Sequence, residues 1–190
     1  LLPADALEVD ETVLVTNASA EFANNFAAGF SYNYGADGEP DVGALSSVYT
    51  LSVSSGSDSG LDDVATGQDV LLYMNGSTVE GRVGGSSGAV VFTVSVDVDG
   101  TVTLDQQRAV EHPTSDPNEA VTLLSSELIQ LSRTDTITDR DGDQDVDTLT
   151  LNLGQALSFR DDGPVITATS ASLLPADALE VDETVLVTNA

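Results

Sequence analysis

The chain starts over before it ends. Residues 1–18, LLPADALEVDETVLVTNA, recur letter for letter as residues 173–190. Chance does not produce such an identity in a chain of 190 residues. It implies a tandem array, cut so that one whole unit is followed by the opening of the next. Solenoid repeats have periods of roughly 20–50 residues. This period is far longer, so each unit must fold as a domain with its own core. The expected division is one complete unit at 1–164, with a linker and the start of the next unit at 165–190. Residues 165–172 have no copy at the front and fit either unit by sequence.

The pattern within the unit is that of strands. T-V-L-V-T at 12–16, alternating aromatics at Phe30, Tyr32 and Tyr34, and V-Y-T-L-S-V at 48–53 all read as extended chain. The runs 70–74 and 79–83 flank Asn75-Gly76, a hairpin turn signal, and 89–98 meets 101–104 across Asp99-Gly100, a second one. Residues 128–137 and 148–159 alternate as well, the latter broken at Gly154. Nine or ten strands with turn residues at this spacing predict an all-β sandwich or barrel. Residues 19–28 and 118–127 are the only helical suspects, and 57–67 and 84–88 read as loops.

Charge narrows the function. Thirty-two Asp and Glu face five Lys and Arg, a formal −27. Phosphate binding needs clustered cations, so nucleic acid is excluded as a partner. An anionic membrane surface is excluded on the same ground, and no apolar run is long enough for membrane insertion. A domain this acidic repels itself. Brine or divalent cations would offset the repulsion, and the two readings are compatible. With no cysteine, neither disulfides nor thiolate zinc sites are open to it.

The densest acidic segment is T-D-R-D-G-D-Q-D-V-D at 138–147. Asp139, Asp141, Asp143, Asp145 and Asp147 occupy alternate positions. Extended, they share one face at about 7 Å spacing; turned at Gly142, they converge. Two bare carboxylates at ~5 Å repel by roughly 3 kcal/mol at an effective dielectric of 20. Short oxygen ligands in such number suit Ca²⁺, which takes six to eight, although the spacing is not that of an EF-hand. A second acidic group flanks the junction between units. Asp161 and Asp162 stand before it, and Asp182 and Glu183, copies of Asp10 and Glu11, stand after it. Carboxylates on both sides are what an interdomain calcium clamp requires. Asp97 with Asp99, Asp37 with Asp41, and Asp58 with Asp62 and Asp63 are weaker acidic loops. His112, the sole histidine, lies beside Pro113 and reads as structural. No serine lies in a nucleophile elbow, and no catalytic residue is assigned.

V-D-E-T (9–12), F-S-Y-N-Y-G-A-D-G (30–38), S-G-L (59–61), V-F-T-V-S-V-D-V-D-G-T-V-T-L (91–104), E-H-P (111–113), T-D-R-D-G-D (138–143) and D-D-G-P (161–164) occur in that order. Together they resemble the long repeats of giant type I secreted bacterial adhesins, the repeats-in-toxin large adhesion proteins. The resemblance implies an immunoglobulin-like antiparallel β-sandwich and a role as extender module on the extracellular bacterial cell surface. It implies several calcium ions, held by Asp139, Asp141, Asp143, Asp161 and Asp162, with Asp182 and Glu183 on the receiving side. The partners expected are the neighbouring repeats of the same chain, and the isolated fragment is expected to be monomeric. The alternatives are a repeat that itself grips a glycan, or one that makes homotypic contacts between cells. A glycan site would need exposed aromatics, and the chain is 5% aromatic with no tryptophan.

Overall fold

In the computed structural model the chain is described over residues 6–15 and 17–172; Asp182 and Glu183 lie outside this range. Twelve strands run in order: β1 (Leu7–Asp10), β2 (Asn17–Glu21), β3 (Leu45–Ser52), β4 (Ser57–Asp63), β5 (Gln68–Asn75) and β6 (Thr78–Val83). Then come β7 (Val90–Val96), β8 (Thr101–Gln106), β9 (Ala120–Thr122), β10 (Gln130–Thr138), β11 (Gln144–Asn152) and β12 (Leu157–Arg160). One short helix, α1 (Ala23–Phe26), and three 3-10 turns complete the described elements. None of the described helices is long and apolar enough to cross a membrane.

The strands form three sheets. Six run in the order β2-β8-β7-β6-β5-β4, antiparallel throughout. Two three-stranded sheets, β11-β10-β3 and β1-β12-β9, pack against it through β3 on β6 and β7 and through β1 on β2 and β8. The result is sandwich-like. Alternate residues face inward, among them Val70 and Leu72 of β5, Phe92 and Val94 of β7, Val102 and Leu104 of β8, and Leu157 and Phe159 of β12. Each such side chain contributes roughly 1.5–3 kcal/mol on burial. Phe92 and Phe159 meet across the layers at 5.1 Å between ring centroids. A Cβ at Gly81 would lie 2.3 Å from the Phe92 ring, so glycine is required there for the ring to seat.

The all-β sandwich expected from the pattern is present, with more strands than the nine or ten expected. β4 falls in what reads as a loop because its inward positions are Ser59, Leu61 and Asp63, so hydrophobic alternation is missing. The 118–127 segment supplies the three-residue β9 and a 3-10 turn at Ser126–Leu128 instead of a helix. The aromatics at 30–34 form no strand; Phe30 and Tyr32 stack at 6.1 Å, and Phe30 covers Arg133. T-V-L-V-T at 12–16 is mostly turn: the 3-10 turn at Glu11–Val13 runs into turn residues Leu14 and Val15, and the strands form on either side. Both hairpins marked by Asn75-Gly76 and Asp99-Gly100 form, with Gly76 and Gly100 at positive φ. The break at Gly154 becomes a 3-10 turn between β11 and β12.

One pair departs from antiparallel pairing. β1 runs parallel to β12, Leu7 opposite Leu157 through Asp10 opposite Arg160. The strand that opens the unit and the strand that closes it therefore lie side by side, pointing the same way.

Candidate functional site

All five cations are arginines, and the fold commits four of them to single carboxylates. Arg108 makes a two-pronged contact to Asp63, Nε to Oδ1 at 2.7 Å and Nη2 to Oδ2 at 3.0 Å. These bonds hold the Asp63 carboxyl below its usual range. Arg133 grips Asp135 the same way at 2.8 Å twice, while its guanidinium lies 5.1 Å from the centre of the Phe30 ring. Burial pushes Asp135 upward, but the bonds from Arg133 and Tyr32 outweigh it and leave its carboxyl lowered. Arg82 pairs with Glu80, and Arg160 with Glu8. Arg140 donates from Nη2 to the Glu39 carbonyl at 3.1 Å. Among the described residues it makes no ion pair, although it sits inside the densest acidic segment.

That segment turns. Gly142, at φ 104°, closes the β10–β11 hairpin. Oδ1 of Asp139 accepts from the amides of Gly142 at 3.0 Å and Asp143 at 2.9 Å. The fold then brings Asp37, from the loop before β3, to Asp139 and Asp141, their ligand oxygens all within 4.8 Å. A hydrogen bond to Asp141 lowers the Asp139 carboxyl, and the same bond raises that of Asp141. Asp143 lies beside them in the turn. Asp145 and Asp147 stand on β11 opposite Ile137 and Asp135, and cap the amides of Val146 at 3.0 Å and Thr148 at 2.8 Å. The five aspartates thus divide, with Asp139 and Asp141 gathered beside Asp37.

The junction residues divide as well. Asp10 caps the 3-10 turn through Thr12 N at 2.9 Å. That contact, with the bond from the Thr12 hydroxyl, holds its carboxyl low. Asp162 is exposed. Glu11 turns back into its own unit, where its Oε1 accepts from Gln106 Nε2 at 2.7 Å and from Val110 N at 2.8 Å. There it meets His112 and Asp161, their ligand atoms within 4.8 Å of one another. The His112 side chain is 4% exposed, and its Nε2 is 3.7 Å from Glu11 Oε1. Neither ring nitrogen has a hydrogen-bond partner among the described residues. A buried polar group left unpaired costs about 1–3 kcal/mol.

A family described as a domain of unknown function, DUF5801, matches residues 6–154. The chain belongs to that family. No curated protein and no solved structure matches it. The DUF5801 match takes in Glu11, His112 and the whole acidic hairpin, and stops before Asp161.

Two meetings in the DUF5801 unit leave no trace in its linear sequence. Asp37 ranks among the weaker loops, and His112 reads as structural, because their partners lie about fifty to a hundred residues away. The Arg133–Asp135–Tyr32 cluster is equally silent. Its sole trace is a cation and an anion at alternate positions of one strand, which puts both on one face.

Proposed function

We propose that this unit is a calcium-stabilised extender of a bacterial cell-surface adhesin, a spacer in a tandem array that projects a binding region outward for surface attachment or biofilm formation. It carries out no catalysis. The observation that carries this reading is the parallel β1–β12 pair. Neighbouring units pull on the start of β1 and the end of β12. In a parallel pair these are opposite ends, so tension acts along the strands and strains every ladder bond at once. The duplicated opening of the unit supports the array itself.

Calcium fits the hairpin cluster by donor chemistry. Asp37, Asp139 and Asp141 offer oxygen alone, and extracellular Ca²⁺ modules work near 10⁻⁴–10⁻³ M. A bound ion would neutralise these carboxylates and fasten the loop before β3 to the hairpin. The residues prepare this without the ion, since Asp139 already organises the turn through two amides.

Force spectroscopy on several joined units tests the reading. A high unfolding force in millimolar Ca²⁺ that drops on chelation is expected. Equal force and equal melting midpoint in both conditions would overturn it.

A further inference from the structure

The Glu11–His112–Asp161 cluster is not explained by calcium. Ca²⁺ takes six to eight oxygens, and imidazole suits the first-row transition metals instead. We propose that these three side chains form a second metal site, specific for a divalent transition ion of the Zn²⁺ type. It is separate from the acidic hairpin and lies inside one unit, where it ties the beginning of the domain to its end.

Three observations converge. The His112 side chain is buried, and neither ring nitrogen makes a hydrogen bond among the described residues, whereas buried imidazoles find such partners as a rule. Two ligand atoms about 2.1 Å from one tetrahedral ion lie about 3.4 Å apart, and His112 Nε2 stands 3.7 Å from Glu11 Oε1. The surroundings also hold the ligands in place. Gln106 and Val110 both donate to Glu11 Oε1, which fixes the carboxylate. Asp161 N donates to Glu119 O at 2.8 Å, extending the β12–β9 ladder by one bond. Glu111 N donates to Asp62 O at 2.8 Å, anchoring the histidine loop on β4. Such support of metal ligands raises affinity. Two carboxylates and one imidazole neutralise a divalent ion and leave a position for water.

The ion would crosslink Glu11, just after β1, to Asp161, just after β12. The inference adds a site to the spacer reading but does not rest on the hairpin calcium.

The test uses the full chain in millimolar Ca²⁺, so that the many surface carboxylates are occupied. The chain holds one histidine, so its imidazole ¹⁵N and ¹H resonances report on His112 alone. Zn²⁺ at one equivalent is expected to move one ring nitrogen sharply and to raise the melting midpoint. Asp161→Asn should weaken Zn²⁺ binding by about 10–100-fold while leaving the calcium effect intact. Asp141→Asn should leave Zn²⁺ binding intact. Ring resonances unmoved by Zn²⁺, or binding indifferent to Asp161→Asn, would overturn the site. A Zn²⁺ effect without any calcium effect would sink the hairpin proposal and leave this one standing.

Discussion

The Arg133–Asp135 cluster and the Asp37–Asp139–Asp141 cluster answer the same electrostatic problem in opposite ways. In the first, the carboxylate is buried, 2% exposed at the side chain, and the fold supplies its cation, three hydrogen-bond donors and an aromatic cover. In the second, the carboxylates lie at the surface and the fold supplies no cation. The difference comes from desolvation. A buried charge without a fixed partner is ruinous, so three of the arginines go to the buried carboxylates Asp63, Glu80 and Asp135, and only Arg160 meets an exposed one, Glu8. Exposed carboxylates tolerate one another through water, shared protons or dissolved ions. A chain with five cations has committed four to single carboxylates and left its densest acidic loop to the solvent.

The largest expected effect breaks the buried side of this contrast. Arg133→Met strands Asp135 and should cost about 3–5 kcal/mol, read by urea unfolding. A loss below about 1 kcal/mol would mean that water reaches Asp135 and that the two clusters do not differ in kind. Next, calcium at ten to a hundred times a dissociation constant in the extracellular range should add about 1.4–2.7 kcal/mol. Asp139→Asn should remove most of that increment, and Arg133→Met should leave it unchanged. A calcium increment that vanished with Arg133→Met would show the clusters to be coupled.

Acid sharpens the comparison further. Asp63, Glu80 and Asp135 are all lowered in the folded protein. Their stabilisation is present above the ordinary carboxylate range and is lost as pH falls through their folded values. Asp62 behaves oppositely. Burial, then Asp69 and Glu111, raise its carboxyl, so its contribution is present at low pH and is lost as pH rises through the raised value. Urea midpoints stepped down from neutral should therefore fall overall, and should fall less in Arg108→Met, which has no Asp63 pair to lose. The smallest effect is Asp62→Asn. It relieves like charge beside Asp69 and should stabilise the unit at neutral pH by about 0.2–1 kcal/mol. The gain should disappear in acid, and a gain that persisted there would point to packing in place of charge.

Much of the sandwich was legible because period-two alternation and Asn-Gly or Asp-Gly turns are local signals. β5 to β8 obey them closely. β4 was illegible because its buried positions carry Ser59 and Asp63, whose burial depends on Leu124 N at 2.8 Å from Ser59 O and on Arg108. Likewise Asp97 could be read as turn chemistry, and it does hold the amides of Asp99 at 3.0 Å and Thr101 at 2.9 Å. The acidic hairpin could be located but not composed. Alternation suggested five equivalent aspartates, while the turn at Gly142 sends Asp145 and Asp147 down a strand and leaves Asp139 and Asp141 at the tip.

By itself the sequence determined that the chain is a repeating all-β unit with far more anions than its own cations can balance. Composition and short-range periodicity carry that information. Only the tertiary structure decided which anions receive the arginines, that Asp37 joins Asp139 and Asp141, and that Glu11 meets His112 and Asp161. Those meetings depend on strand order and register, above all on β1 lying parallel to β12. No local pattern encodes them, because burying the apolar faces of distant strands together is a property of the whole chain.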